Sequence, residues 1–148
     1  MKSLCTTFVL LIVVASCSQT KERATDTTPR EKIEVGDTVY LASTVKYVFT
    51  KMADKGDFVT PERTVTTHIN LDANGQRVWS TYEPLQPFTF VLNQIPMIDG
   101  FKEVIVRMRQ GDRMTAVIPS HLGYGERGNG PIPPNALLHF DIEVISVQ

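Results

Sequence analysis

Cysteine is nearly absent from this 148-residue chain: there are two, Cys5 and Cys17. Both stand at the N-terminus, so the rest of the chain can form no disulfide and cannot be a disulfide scaffold. Excess charge is also lacking. Fifteen Lys and Arg face sixteen Asp and Glu, a net charge of −1, which argues against a nucleic-acid partner. There is no apolar run of the roughly 20 residues that a membrane-spanning helix needs. The histidines His68, His121 and His139 have no metal-ligand spacing and no cysteine near them, so neither a metal nor another cofactor is expected. Ser80 and Ser120 lack the setting of a nucleophile elbow. Gly123 to Gly128 fits G-x-G-x-x-G, but Asn129-Gly130-Pro131 follows and no helix starts well there. Dinucleotide binding is excluded on that ground.

What is present begins with a leader. Lys2 precedes an apolar run from Phe8 to Ala15, which ends Val14-Ala15-Ser16-Cys17. A positive start, a short apolar run and small residues read as a secretory signal. The ending resembles a bacterial lipobox, in which cleavage precedes a cysteine that carries lipid. Residues 1–16 are therefore expected to be a lipoprotein signal peptide, with Cys17 as the lipidation site. Residues 17–32 are polar, contain Pro29, and read as a flexible tether. The expected domain is 33–148.

Within it, Val39 to Phe49 reads as a strand and 50–63 as a loop around Gly56 and Pro61. Thr64 to Leu71 alternates, with Val65, Thr67, Ile69 and Leu71 on one face. Asn74-Gly75 is a strong hairpin signal, and 76–81 is the returning strand. Phe88 to Leu92 is a short strand. Ile98, Phe101, Ile105 and Met108 draw one apolar stripe, which predicts a helix over 98–110 that Gly111 ends. Residues 113–119 and 137–147 are strands, separated by a Gly- and Pro-rich loop over 120–135. The last strand changes phase near Val144 and Ile145, which suggests a bulge. Strands with one amphipathic helix imply an α+β fold, an antiparallel sheet curled around that helix.

Several segments resemble the FKBP domain, in the family's order: GDTV (36–39), ANG with VWST (73–75 and 78–81), PFTFVL (87–92), MIDGFKEVI (97–105), GDRMTAVIP (111–119) and LGYGERGNGPIPPNALLHFDIEVI (122–145). The resemblance spans 34–148 and is most specific from Pro87 onward. It implies a peptidyl-prolyl cis-trans isomerase, here in a bacterial lipoprotein form. The implied catalytic residues are Tyr124, whose hydroxyl points into the pocket, and Ile98, whose backbone N–H meets the substrate carbonyl. Phe101 matches the pocket floor, where many members carry tryptophan. Met97, Phe88, Phe140 and Ile132 match its walls and lip. The implied partners are proline-containing polypeptides and, through the anchor, a membrane. A periplasm-facing monomer on the outer membrane is expected.

Three features depart from the family pattern. Val78-Trp79 replaces a Phe-Asp pair whose aspartate orients the ligand carbonyl; both remain candidate substrate-binding residues, and Trp79 is either core or a pocket lid. The family's pocket tyrosine on the first sheet strand corresponds to Ser43 or to His68, depending on where counting starts. The loop after Tyr124 is one residue shorter before Ile132.

Overall fold

The computed structural model describes residues 30–148. The expected signal segment, Cys17 and most of the expected tether lie outside the described residues. A turn of 3-10 helix, Arg30–Lys32, leads into strands β1 (Thr38–Tyr40), β2 (Lys46–Lys51), β3 (Thr64–Ala73), β4 (Gln76–Ser80) and β5 (Phe88–Val91). Helix α1 (Asp99–Ile105) and strands β6 (Arg113–Ile118) and β7 (Leu138–Val147) follow. All pairings are antiparallel. The sheet runs β1-β2-β6-β7-β3-β4, and β5 also pairs with β3. Among the described residues, no helix is long and apolar enough to cross a membrane.

The α+β expectation holds: among the described residues, one antiparallel sheet carries a single short α-helix. Alternation along β3 is complete, with Val65, Thr67, Ile69 and Leu71 buried against the helix side. Asn74 and Gly75 take positive φ (49° and 84°), which is the backbone a two-residue hairpin loop needs. The bulge in β7 falls at Ile145, because Ser146 pairs with Thr66 while Val144 pairs with Thr67.

Two elements differ from expectation. The predicted strand over 39–49 is broken into β1 and β2 by a tight turn, with Thr44 at φ 74° and its N–H donating to Leu41 O. Even spacing of apolar residues survives because both arms of the hairpin put the same face inward. The helix is also shorter than 98–110. After Ile105 the bonds tighten to a three-residue step, from Arg107 N–H to Val104 O and from Met108 N–H to Ile105 O. Met108 stays fully buried, so the apolar stripe is correct while the helix itself stops.

Gly100 sets the distance between α1 and the sheet. A Cβ there would lie 2.3 Å from Ile118 Cγ2, so only glycine lets the helix sit this close to β6. The far end of the helix is fixed by Asp112, which is fully buried. Its carboxylate accepts from the Arg30 guanidinium (2.7 and 2.9 Å) and from the backbone N–H groups of Ala53 and Arg109 (2.8 Å each). The Arg30 guanidinium also lies over the Phe49 ring, 4.6 Å from its centre. Packed contacts thus reach upstream of Ile33.

Candidate functional site: an uncharged aromatic cleft

The inward face of the sheet carries a row of side chains that strand register puts beside one another. Phe140 on β7 pairs with Leu71 on β3, and Leu71 pairs with Trp79 on β4. Cross-strand partners have Cβ atoms about 4.5–5.5 Å apart, so the three side chains form one wall. Trp79 reaches it through a bulge. Between Leu71↔Trp79 and Asp72↔Arg77, Val78 is the unpaired extra residue on β4. A bulge breaks the strict two-residue alternation, and here both Val78 and Trp79 line the cleft.

Aromatic rings continue around the cavity. Trp79 meets Phe88 at 5.6 Å and 87°, Phe88 meets Phe90 at 5.2 Å, Phe90 meets Phe101 at 6.0 Å, and Phe101 meets Phe140 at 5.5 Å. Tilted and edge-on ring pairs of this kind contribute about 0.5–1.5 kcal/mol each beyond area burial. Phe101 and Phe140 are buried at its base, whereas Trp79 stands 41% exposed at its rim. Trp79 is therefore a rim residue and not core. The cleft has a volume of about 400 Å³.

The opposite wall comes from loops. Met97 and Ile98 precede α1, and Ile98 holds extended backbone (φ −62°, ψ 143°). Its carbonyl accepts from Phe101 and Lys102 N–H, but among the described residues its own N–H has no acceptor. Tyr124 and Ile132 come from the long Gly- and Pro-rich loop. That loop folds back on itself: Gly128 N–H donates to Tyr124 O, and Asn129 and Ile132 exchange backbone hydrogen bonds at 2.9 Å. Gly128 has φ 67°, and a Cβ there would lie 2.3 Å from Ile132 O. Only glycine permits that approach. Tyr124 is half-buried against the core, and among the described residues its hydroxyl has no hydrogen-bond partner.

All nine residues expected at a pocket line this one cleft: Val78, Trp79, Phe88, Met97, Ile98, Phe101, Tyr124, Ile132 and Phe140. Neither Ser43 nor His68 does. Ser43 Oγ donates to Glu103 Oε2, and His68 lies on the outer face, its ring stacked on Tyr82 at 4.6 Å. The β3 wall is instead Ile69 with Leu71. Ile69, Leu71, Ile95, Pro96 and the 129–131 turn escaped the sequence reading. Alternation along β3 marked Ile69 and Leu71 as inward, but only strand register shows which inward residues meet the cleft.

Not one of the sixteen residues lining the cleft is charged, and its polar side chains are Tyr124 and Asn129. Among the described residues, no group of acidic, His or Cys side chains is arranged to hold a metal ion. The arrangement provides an apolar bed whose donors include the Tyr124 hydroxyl and the Ile98 N–H, neither with a partner among the described residues. That chemistry suits an uncharged, carbonyl-bearing group.

The model of the FKBP-type peptidyl-prolyl cis-trans isomerases matches residues 31–145. The chain is 40% identical over 98 residues to a probable FKBP-type peptidyl-prolyl cis-trans isomerase of Haemophilus influenzae, covering 65% of this chain and 40% of that protein. It is 40% identical over 78 residues to FK506-binding protein 2 of Aspergillus fumigatus, covering 53% of this chain and 58% of that one. It thus spans about half the length of these curated relatives. Among solved structures, FkpA from Escherichia coli superposes with a TM-score of 0.69 at 27% identity, over 75% of this chain and 51% of that chain. AtFKBP13 superposes with a TM-score of 0.69 at 26% identity, over 76% of this chain and 99% of that chain. Sequence match, fold and cleft agree: the chain belongs to the FKBP-type peptidyl-prolyl cis-trans isomerase family.

Proposed function

We propose that this protein rotates X-Pro peptide bonds of exported or envelope polypeptides in the aromatic cleft, without any covalent step. A peptide C–N bond resists rotation by about 18–20 kcal/mol because resonance holds it planar. X-Pro bonds populate both isomers but exchange over tens of seconds or longer. The planar amide is strongly dipolar and water stabilises it; the twisted form has less charge separation. An apolar cleft therefore disfavours the ground state relative to the twisted state. On this reading the Tyr124 hydroxyl and the Ile98 N–H, which have no partner among the described residues, donate to the carbonyl of the twisted form. Each tenfold acceleration requires about 1.4 kcal/mol, so a thousandfold gain is about 4 kcal/mol. Two hydrogen bonds and differential desolvation are of that size.

The observation that carries this reading is the convergence of nine separately encoded residues on one uncharged cleft. A protease-coupled proline-peptide assay on the protein tests it. A rate above the uncatalysed one, reduced in Tyr124→Phe, supports it; no rate above buffer rejects it. A second reading follows from Trp79, which stands where the family carries an aspartate. On that reading the cleft binds peptides or suppresses aggregation without isomerising them. Peptide binding without rate enhancement would favour it.

For the N-terminus we propose a cleaved signal over 1–16, lipid on Cys17 and a tether up to the domain, which would hold the enzyme on the periplasmic side of the outer membrane. Cys17→Ser should move the protein into the soluble fraction; unchanged membrane association would reject the anchor.

A further inference from the structure

Two Asn-Gly pairs stand in turns of the domain, Asn74-Gly75 and Asn129-Gly130, and the fold treats them differently. Asn74 is tied twice to one residue. Its N–H donates to Leu137 O, and its side-chain Oδ1 accepts from Leu137 N–H, each at 3.0 Å. Asn129 lines the cleft, and its backbone is held by the two bonds to Ile132. Its side-chain amide has no hydrogen-bond partner among the described residues. The next residue, Gly130, is exposed at φ 53°, and a Cβ there would meet nothing within 4 Å. Among the described residues, the Gly130 N–H donates to no backbone acceptor.

These are the conditions for ring closure between an asparagine side chain and the backbone nitrogen that follows it. The Gly130 nitrogen gives its proton to hydroxide and attacks the Asn129 side-chain carbonyl carbon. The bond from that carbon to the amide nitrogen breaks, and ammonia leaves with a proton from water. The cyclic imide then takes up one water at either carbonyl, which leaves an aspartate or an isoaspartate. No Cβ on residue 130 obstructs the attack, and the space above it is open. No hydrogen bond has to break before the Asn129 amide can turn toward the nitrogen, whereas Asn74 must give one up. We infer that Asn129 is a site of spontaneous deamidation, which puts a carboxylate into an otherwise uncharged cleft and lowers its activity with age. The effect on activity rests on the prolyl-site reading above. None of the sixteen lining residues could pair with that carboxylate, so a substrate that seals the cleft strips its water without compensation. The isoaspartate form also lengthens the main chain inside the turn that Ile132 closes, and Ile132 is the buried lip of the cleft.

The test ages the full chain in mildly alkaline buffer and samples it by peptide mapping with mass spectrometry and by the proline-peptide assay. The amide-to-acid mass change should appear at 129 about fivefold faster than at 74, the worth of one neutral hydrogen bond. kcat/KM should fall in step with it, by about tenfold at full conversion. Asn129→Gln, whose longer side chain closes a larger ring far more slowly, should hold its own starting rate over the same period. Asn129→Asp should show the reduced rate when fresh. Conversion at 74 that matches or outruns conversion at 129 overturns the inference, and so does full conversion at 129 with kcat/KM unaltered. If the fresh chain does not isomerise at all, the prolyl reading has failed on its own account. Conversion is then still read by mass, and the emission of Trp79, the single tryptophan, reads peptide binding in the cleft. An emission response that shrinks as 129 converts supports the inference; a response that is absent, or indifferent to conversion, overturns it.

Discussion

Trp79 and Tyr124 show how differently two residues of one site are exposed to substitution. Tyr124 offers a hydroxyl that nothing else in the described residues uses. Its replacement by Phe removes one neutral hydrogen bond, about 1 kcal/mol, and should lower kcat/KM roughly fivefold at unchanged stability. A thermal melt beside the isomerase assay separates the two effects. By the resemblance to the family, Trp79 stands where an aspartate is expected to orient the ligand carbonyl. Trp79→Asp should raise the rate on a small-flanked peptide such as Ala-Pro, measured at one peptide concentration against wild type. An unaltered rate would favour the binding-module reading. A third residue reports on pH. Burial, opposed by the Arg113 guanidinium and reinforced by the bond to Glu143, pushes the Tyr82 phenol up to about 12. The folded chain keeps this proton until about pH 12, whereas an unfolded chain releases it near 10. Its stabilisation is therefore complete below pH 10 and lost as pH rises through 12. Denaturant midpoints over that window should fall less steeply in Tyr82→Phe than in wild type; parallel curves would contradict the assignment.

At the scale of elements, the site depends on how closely α1 approaches β6 and on how the 123–132 loop folds. Gly100→Ala places a methyl within 2.3 Å of Ile118 Cγ2, so the helix must move off the sheet. Overpacking of this kind costs about 1–3 kcal/mol. The melting temperature should fall by about 4 °C for each of those kcal/mol. Since Phe101 follows directly in the helix, the cleft floor should shift and activity should fall as well. A melt indistinguishable from wild type would mean that Ile118 relaxes away. The sequence displayed the apolar stripe of the helix, and all its inner members are buried or half-buried. The end of the helix was not displayed, because the three-residue hydrogen bonds after Ile105 arise where the chain is drawn into a bridge between Arg109 and Phe58. A partner 51 residues away in the chain leaves no local mark. The break between β1 and β2 was hidden for a related reason: a hairpin whose arms share one inward face keeps the even spacing of a continuous strand.

For the molecule as a whole, Asp112 joins the N-terminal segment, the loop at Ala53 and the end of the helix region into one body. Truncating it leaves the Arg30 guanidinium, with its side chain only 16% exposed, and two backbone donors without their acceptor. Breaking a buried pair from one side costs about 3–5 kcal/mol. Asp112→Ala should therefore lower the denaturant midpoint sharply, and an Arg30→Ala variant should lose less. Equal midpoints for wild type and Asp112→Ala would show the hub to be unimportant. The sequence by itself determined the alternation of β3, the hairpin at Asn74-Gly75, the helix stripe and the bulge at Ile145, since each is written in residues a few positions apart. The same is true of the family motifs, which marked seven cleft residues from Pro87 onward and Val78 and Trp79 before it. Tertiary structure alone decided that Ile69 and Leu71 form the β3 wall, that His68 and Ser43 do not, and that Trp79 stands at the rim. Those outcomes follow from strand register and a one-residue bulge. A single step of register reverses which face a side chain occupies, and register is set by pairing with strands distant in the chain.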